Sequence, residues 1–545
     1  MLVHCSATPP EAIHLASGGT FFPQARGFLN PTTMKKHLLA LCLLLSANSL
    51  LYSQEYWSKR YDIEMGNEYG SQVIVQDDGF LVFMRGFCGL NNAEFCYGII
   101  KFDLDGEKQW QSLLADTILP GDYQPMAIRN DTIFVNVNYK TIQSCSVLAY
   151  DLQGHYLSRY DYWHPSMPWG FISRKLKSRG EKLFVNFSYD DTLDTRVNYK
   201  IRAYAPSWNQ LWEVKVPDLV EYPRLLYVDM DACPDGGIIT ISARRKTYDE
   251  RVCIIHKFDA DGNPEWTTML DGLYEAWSYP ATIHAHPDGG YMGHWQIGTG
   301  DFWSYEYPDM WFKIDANGQI EWQRIDEAVH NMRNFTGTFV AQNGDLIGCG
   351  RGEDSPYDTI DEPDPYYCHI ARIKPDGEFR WERRIFEKKD GGYWTDLYHG
   401  AEMENGDLIF TGFVWDTIQT PENPSLDDLW LLKLDSNGCL EPGCDFNQYI
   451  LPVSEPAQSV PLDVFRAFPN PFVTQFSLAA VLGKHIPSGD YRMILYDAAG
   501  RAVIQQDFNP HLLTRVETLQ LPSGLYSLVI FRDGLEFQAL KMVKP

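Results

Sequence analysis

Between residues 55 and 445 apolar and polar positions alternate in short runs, and Asp-Gly, Asn-Gly and Gly-Gly pairs separate the runs. Alternation of period two predicts half-buried strands, and Asx-Gly pairs between them predict tight hairpins. One unit recurs: a strand, then Lys, an apolar residue, Asp-x-Asp/Asn-Gly, then a strand carrying Trp. It reads Ile100-Lys101-Phe102-Asp103-Leu104-Asp105-Gly106 followed by Trp110. Further copies are Lys257 to Gly262 with Trp266, Lys313 to Gly318 with Trp322, Ile373 to Gly377 with Trp381, and Lys433 to Gly438. Tyr150 to Gly154 and Tyr204 to Trp212 are degenerate copies that fill the remaining gap.

A second hairpin precedes each copy, with turns at Asp77-Asp78-Gly79, Pro287-Asp288-Gly289-Gly290, Asn343-Gly344-Asp345 and Asn405-Gly406-Asp407. Each unit is therefore four short antiparallel strands, and seven such units predict a seven-bladed β-propeller over residues 54–445. The ends predict closure. Residues 55–60 have the pattern of an outer strand with no partners before it, and the seventh unit lacks its own outer strand. Pairing the two leaves no open edge in the ring. The region resembles bacterial propellers whose blades carry a Lys-x-Asp-x-x-Gly-x-x-x-Trp hairpin. That resemblance implies architecture only, because propellers host lyases, hydrolases, binders and scaffolds alike.

The N-terminus has another pattern. Met34-Lys35-Lys36-His37 is basic, Leu38 to Leu45 is almost wholly apolar, and small residues lead to Ser53/Gln54. This predicts a signal peptide over 34–53, with translation beginning at Met34 and 1–33 a misassigned extension. The apolar run is shorter than the roughly 20 residues a spanning helix needs, so no membrane span is predicted.

After residue 445 a Pro-bearing linker, 446–464, leads to a small domain of alternating strands over 465–545. The fold class expected for the whole is all-β: a seven-bladed propeller followed by a small Ig-like β-sandwich. The last domain resembles the type A sorting domain of the type IX secretion system. The matching pieces are Pro469-Asn470-Pro471-Phe472, Tyr496-Asp497 with Gly500-Arg501, Gly524 with Tyr526, and Lys541. The resemblance implies the type IX secretion machinery as a partner, and a location outside the cell or on its outer surface after passage through the periplasm.

Composition narrows the chemistry. A net charge of −26 repels phosphate backbones, which argues against nucleic acid as a partner. Export permits disulfides, and Cys88/Cys96 and Cys439/Cys444 each bracket one loop. The cysteines show no CxxC spacing, and no further oxygen ligands follow the Asp-rich turns, so neither a metal nor a cofactor is expected. Turn geometry alone explains the Asp and Gly residues, and blade core explains the recurring Trp.

Short turns gather on one face of a propeller, so the long, varied connections gather on the other. Variable loops on a rigid scaffold are the usual location of binding surfaces. Trp163, Trp169, Trp277, Tyr279, Trp303 and Trp394 fall in these connections and are candidate contacts for an extracellular glycan or peptide. His330 and His399, with Asp396 and Tyr398, are candidate acid–base groups. The function expected is an exported binding module. The alternative is a lyase or hydrolase acting on polysaccharide or peptide from the same scaffold.

Overall fold

In a computed structural model the chain is described over residues 56–544, apart from 64–65, 89–93, 115–117, 121–123, 140–144, 163–171, 191–196, 218–223, 246–250, 271–280, 298–307, 327–331, 354–365, 388–394, 416–426, 442–443, 445–447, 452–457, 460–463, 469, 471, 481–488, 511, 513 and 533. Every regular element among the described residues is a β-strand, and there is no helix. Seven antiparallel sheets of four strands follow one another along the chain, six built on four successive strands and the last on three. The first sheet runs Gly66–Gln76, Gly79–Cys88, Glu94–Phe102, Lys108–Leu113, and the fourth runs Arg224–Ala232, Ile238–Arg245, Arg251–Phe258, Pro264–Met269. The architecture is a β-propeller, and each sheet is a blade.

The last blade is completed from the other end of the chain. Trp57–Asp62 pairs antiparallel with Asp427–Leu434, with Trp57 opposite Lys433 and Tyr61 opposite Leu429. The ring is thus closed by strand pairing between segments nearly the whole propeller apart.

The repeated Trp has a specific partner: the glycine in the outer hairpin turn of the next blade. Trp110 lies against Gly154, Trp212 against Gly262, Trp266 against Gly318, Trp322 against Gly377 and Trp381 against Gly438. At the closure Trp57 and Tyr61 lie against Gly106. A Cβ on Gly318 would stand 2.6 Å from the Trp266 ring, and its φ of +82° also favours glycine. The indole N–H then reaches the turn: Trp212 donates to the Ala260 carbonyl at 2.9 Å and Trp322 to that of Pro375 at 2.9 Å.

One junction departs from this rule. In the second blade Ser158 stands opposite Ala149, where Trp110 stands opposite Lys101 in the first. In the third blade Trp208 occupies the glycine position with φ +61°. The aromatic ring has moved across the junction, and Trp208 stacks on Tyr160 at 4.0 Å between centroids.

The other motif residues pin each blade internally. Lys257, buried, donates to Asp235 of the first hairpin at 2.7 Å and to Glu265 of the outer strand at 2.8 Å. Lys313 does the same with Asp288 and Glu321, both at 2.6 Å. The turn aspartates bind their own backbone: Asp103 Oδ1 accepts the N–H groups of Asp105 at 3.1 Å and Glu107 at 2.8 Å. Turn geometry therefore accounts for these aspartates.

Cys439 and Cys444 form a disulfide where the chain leaves the ring. Cys88 and Cys96 lie on the first blade's second and third strands, and their side chains are outside the described set. Cys145, Cys233, Cys253, Cys349 and Cys368 are buried thiols. The linker is partly strand. Gln448–Leu451 adds in parallel to the sixth blade's outer strand, and Gln458–Ser459 to Trp57–Asp62. These short additions cover two edges that would otherwise be open.

The C-terminal region is a two-layer β-sandwich. A three-stranded sheet (Phe465–Phe468, Gln475–Ala480, Thr514–Glu517) and a four-stranded sheet (Tyr491–Asp497, Ala502–Phe508, Gly524–Arg532, Leu535–Lys544) share one core. Phe465, Phe476 and Leu478 from the first pack with Tyr491, Leu495, Leu528 and Ile530 from the second.

Candidate functional site

Trp163, Trp169, Trp277, Tyr279, Trp303, Trp394 and His330 lie outside the described residues. Asp396, Tyr398 and His399 do not sit in a connecting loop as expected. They belong to the seventh blade's first strand, Thr395–Glu402, which pairs with Leu408–Trp415. Pairing continues on both sides of a bulge at Tyr398, between Leu397 and His399, which absorbs the extra residue. Irregularities at matching places in the first strands of blades one, three and six, and two residues earlier in blade four, show that this bulge belongs to the repeat.

First strands meet one another around the ring axis, and each keeps one unpaired edge. Polar side chains from neighbouring blades satisfy those edges. Gln72 exchanges two hydrogen bonds with the Met126 backbone, at 2.8 and 3.0 Å. Asp229 Oδ2 accepts the N–H of Ile283 at 3.3 Å, and Asp231 Oδ2 that of Ala285 at 3.0 Å. His399 Nδ1 accepts the N–H of Val73 at 3.4 Å. This explains why charged and polar residues occupy the inner ring: an unpaired buried N–H is costly.

Two lysines join this belt from the third blade. Lys175 Nζ lies 2.5 Å from Asp229 Oδ1, and both are buried. Lys177 Nζ lies 3.6 Å from Asp231 Oδ1, and both are half-buried. His284 Nε2 meets Thr338 Oγ1 at 2.7 Å, and Thr338 donates onward to Thr282 at 2.7 Å. Burial, reinforced by Lys177, Lys175 and His284, lowers the His399 pKa to about 3. Burial lowers that of His284 to about 4, with the Asp231 charge opposing. Both imidazoles are neutral at physiological pH, and a value as low as about 3 makes His399 a weak proton acceptor, poorly suited to general-base work there. His399 was expected from sequence, but the lysines and aspartates around it were not. Their signal was charge at period two within an apolar strand, Lys175-Leu176-Lys177 and Asp229-Met230-Asp231.

A second cluster lies at the junction of the seventh and first blades, toward the long connections. Tyr69 donates to Asp427 at 2.6 Å, and Tyr398 stacks on Phe413 at 5.7 Å. The Arg85 guanidinium lies 5.2 Å from the Tyr69 ring and 5.4 Å from that of Tyr398. Burial raises the Asp396 pKa to about 7, against the opposing charges of Arg351 and Arg85. Burial also raises Asp427 to about 6, with the Tyr69 hydrogen bond opposing. Asp396 is buried and its Oδ1 has no hydrogen-bond partner among the described residues.

In the sandwich, residues singled out across some 70 positions meet at one end. Asn470 Oδ1 accepts the N–H of Val543 at 2.9 Å, and its Nδ2 donates to the Lys541 carbonyl at 2.8 Å. The N–H of Phe472 donates to the Val543 carbonyl at 2.9 Å, and the Phe472 ring lies 5.9 Å from that of Tyr526. Register puts Asp497 opposite Tyr526 and Gly524 opposite Lys544. The Tyr496-Asp497 to Gly500-Arg501 turn therefore belongs to the same end, with Arg501 paired to Asp497 at 2.7 Å. Val473, Leu519 and Leu525 are 63%, 69% and 52% exposed there. Thr518 donates its N–H to the Thr474 carbonyl at 2.8 Å, which brings Leu519 and Val473 together. Pro469 and Pro471 lie outside the described residues. Among the described residues no group of three or more His, Cys, Asp or Glu is placed to hold a metal ion.

The scaffold defined by these sheets is a β-propeller with an appended sandwich. No protein-family model matches the chain, and no curated protein matches it. Solved structures similar in fold include the β-propeller domain of the Trilobed protease from Pyrococcus furiosus, 10% identical over 65% of this chain and 97% of that one, with a TM-score of 0.38. A protein of unknown function from Dyadobacter fermentans is 9% identical over 70% of this chain and 98% of that one, with a TM-score of 0.39. The alpha-L-arabinofuranosidase Arb93A from Fusarium graminearum is 9% identical over 60% of this chain and 95% of that one, with a TM-score of 0.38. Likeness this remote says nothing of activity.

Proposed function

We propose that this chain is an exported binding protein. The propeller presents its long connections to a glycan or peptide outside the cell, and the sandwich is the address read by a type IX secretion machinery. The observation that carries the address is the meeting of Asn470, Phe472, Asp497, Arg501, Gly524, Tyr526 and Lys541 at one end of the sandwich. Exposed Val473, Leu519 and Leu525 beside them give that end an apolar surface of the kind a partner covers. The test is expression, in a host with the system, of the whole chain and of a chain lacking residues 465–545. The whole chain is expected in the medium or on the cell surface, and the shortened chain inside the cell. Equal export of both would overturn the address.

A second reading, an enzyme on the same scaffold, draws on Asp396. A buried carboxyl that holds its proton to about pH 7 has the character of a general acid. Product release from polysaccharides or peptides that disappears in Asp396→Asn would favour it. No turnover on either class would leave the binding module.

A further inference from the structure

The fourth blade sets like charges opposite one another. Its first strand begins at Arg224, its second ends at Arg245 and its third begins at Arg251. Register puts Arg224 opposite Arg245, and Arg245 opposite Arg251. Three arginines therefore stand in one row across three strands, with neighbouring Cα atoms about 5 Å apart. Like charges directly opposed across a sheet weaken the pairing. The outermost row joining the same three strands reads Gly66, Phe87 and Phe95 in the first blade. In the sixth blade it reads Met332, Glu353 and Tyr366. The repeat itself does not call for the charges.

Burial adds to the cost. Arg251 is 4% exposed, and Arg244, beside the row, is fully buried. Arg244 donates to Ser242 Oγ at 3.4 Å and to the Pro217 carbonyl, both neutral acceptors. A buried charge is costly unless an opposite charge meets it. The sequence here is basic as well. Residues 244–251 hold Arg244, Arg245, Lys246 and Arg251 against Asp249 and Glu250. The connections between the second and third strands of the next three blades, 298–307, 354–365 and 416–426, contain acidic residues and no Lys or Arg. A chain of net charge −26 has thus placed a cationic row at the end of one blade, on the side of the long connections. Exposed charges more than about 10 Å away are largely screened at physiological salt, so an anion at the row meets the arginines first.

We propose that the row of Arg224, Arg245 and Arg251 binds the carboxylates of an acidic glycan, a chain of uronic acids. The inference rests on the reading that the long connections face an extracellular ligand, and it names that ligand's charge. Arginine suits the task, because a guanidinium meets a carboxylate through two parallel N–H bonds. A row of cations suits a polymer that carries one carboxylate on each unit. The connection that follows this blade holds Trp277 and Tyr279, which lie outside the described residues, and aromatic faces pack against sugar rings. That favours a glycan over a peptide as the carrier. The site is independent of the export address, which lies in another domain.

The test is calorimetric titration of the full chain with trigalacturonate, with neutral galactotriose and with triglutamate. Trigalacturonate is expected to bind, and the other two are not. Arg224→Gln and Arg245→Gln are each expected to weaken binding about tenfold, the loss of one charge-assisted pair. Arg492→Gln removes the same charge from an exposed strand of the sandwich and is expected to leave binding unchanged. Without ligand, Arg245→Gln is expected to raise Tm, because it removes the middle charge of the row. A lower Tm would show that the row is balanced within the chain, and would overturn the site. So would the absence of trigalacturonate binding, or binding undiminished in Arg245→Gln. Binding of galactotriose or triglutamate in its place would keep the binding module and overturn the acidic-glycan site.

Discussion

The turn side of the propeller and its inner ring are built by opposite rules. On the turn side one arrangement serves at nearly every junction, an aromatic ring laid on a turn glycine of the next blade. Around the axis the contributions differ from blade to blade: Gln72, Lys175 with Lys177, Asp229 with Asp231, Thr282 with His284, Thr338, and His399. Each junction poses the same geometric problem, so one solution can be repeated. The inner strands need only to have their open edges satisfied, and many side chains can do that.

The one exception among the junctions sharpens the rule. Ser158 has lost the ring and Trp208 has gained it. What is kept is a ring in the gap, whichever blade supplies it. Trp208 does so in a left-handed conformation that costs an L-residue about 1–2 kcal/mol.

The largest expected effect tests the lock itself. Trp381→Ala should lower stability by about 3–5 kcal/mol, as deletion of a buried Trp does. Chemical denaturation would measure it, and a loss below about 1 kcal/mol would show that the ring does not join the blades. Next comes the belt. Lys175→Met should cost about 3 kcal/mol because Asp229 is left buried without its cation. Adding Asp229→Leu should recover part of that loss; if it deepens the loss instead, the backbone contact to Ile283 outweighs the ion pair.

A smaller effect is expected at the exceptional junction. Trp208→Gly removes the ring but also the backbone strain, for a net cost of about 1–2 kcal/mol. Combining it with Ser158→Trp should restore stability above that of Trp208→Gly alone. A double variant worse than the single would mean that the two arrangements are not interchangeable.

The smallest effect is one of pH. Folded Asp396 keeps its proton to about pH 7, whereas the unfolded chain releases it near the ordinary carboxylate value. Stability should therefore decline as pH rises from about 4 to about 7, and Asp396→Asn should flatten that decline. The belt histidines act in the other direction. Their depressed values mean that stability is lost as pH falls below the usual histidine range toward about 4 and 3. Tm profiles of the two proteins across this range would separate the carboxyl from the imidazoles. Parallel profiles would remove Asp396 as the source of the alkaline limb.

Much of the architecture was legible because its signals are local. Asp103 to Gly106 reads as a hairpin from four adjacent residues, and the strand before residue 62 was recognisable as unpartnered because its unit was incomplete. The Cys439–Cys444 bridge spans five residues and was visible for the same reason. Reading Asp396, Tyr398 and His399 as loop failed because a bulge at Tyr398 interrupts the alternation that marks a strand.

The sequence by itself determined the strands, the turns, the closure of the ring and the residues of the sandwich motif, because hairpins and period-two patterning act over a few neighbouring positions. Only the tertiary structure decided what those residues meet. His399 finds Val73 across 326 positions, Asp229 finds Ile283 across 54, and Asn470 finds Val543 across 73. Such contacts arise when strands with individually unremarkable sequences are brought to one axis or one end, and a pattern along the chain carries no record of which side chains will then have hydrogen bonds left to give.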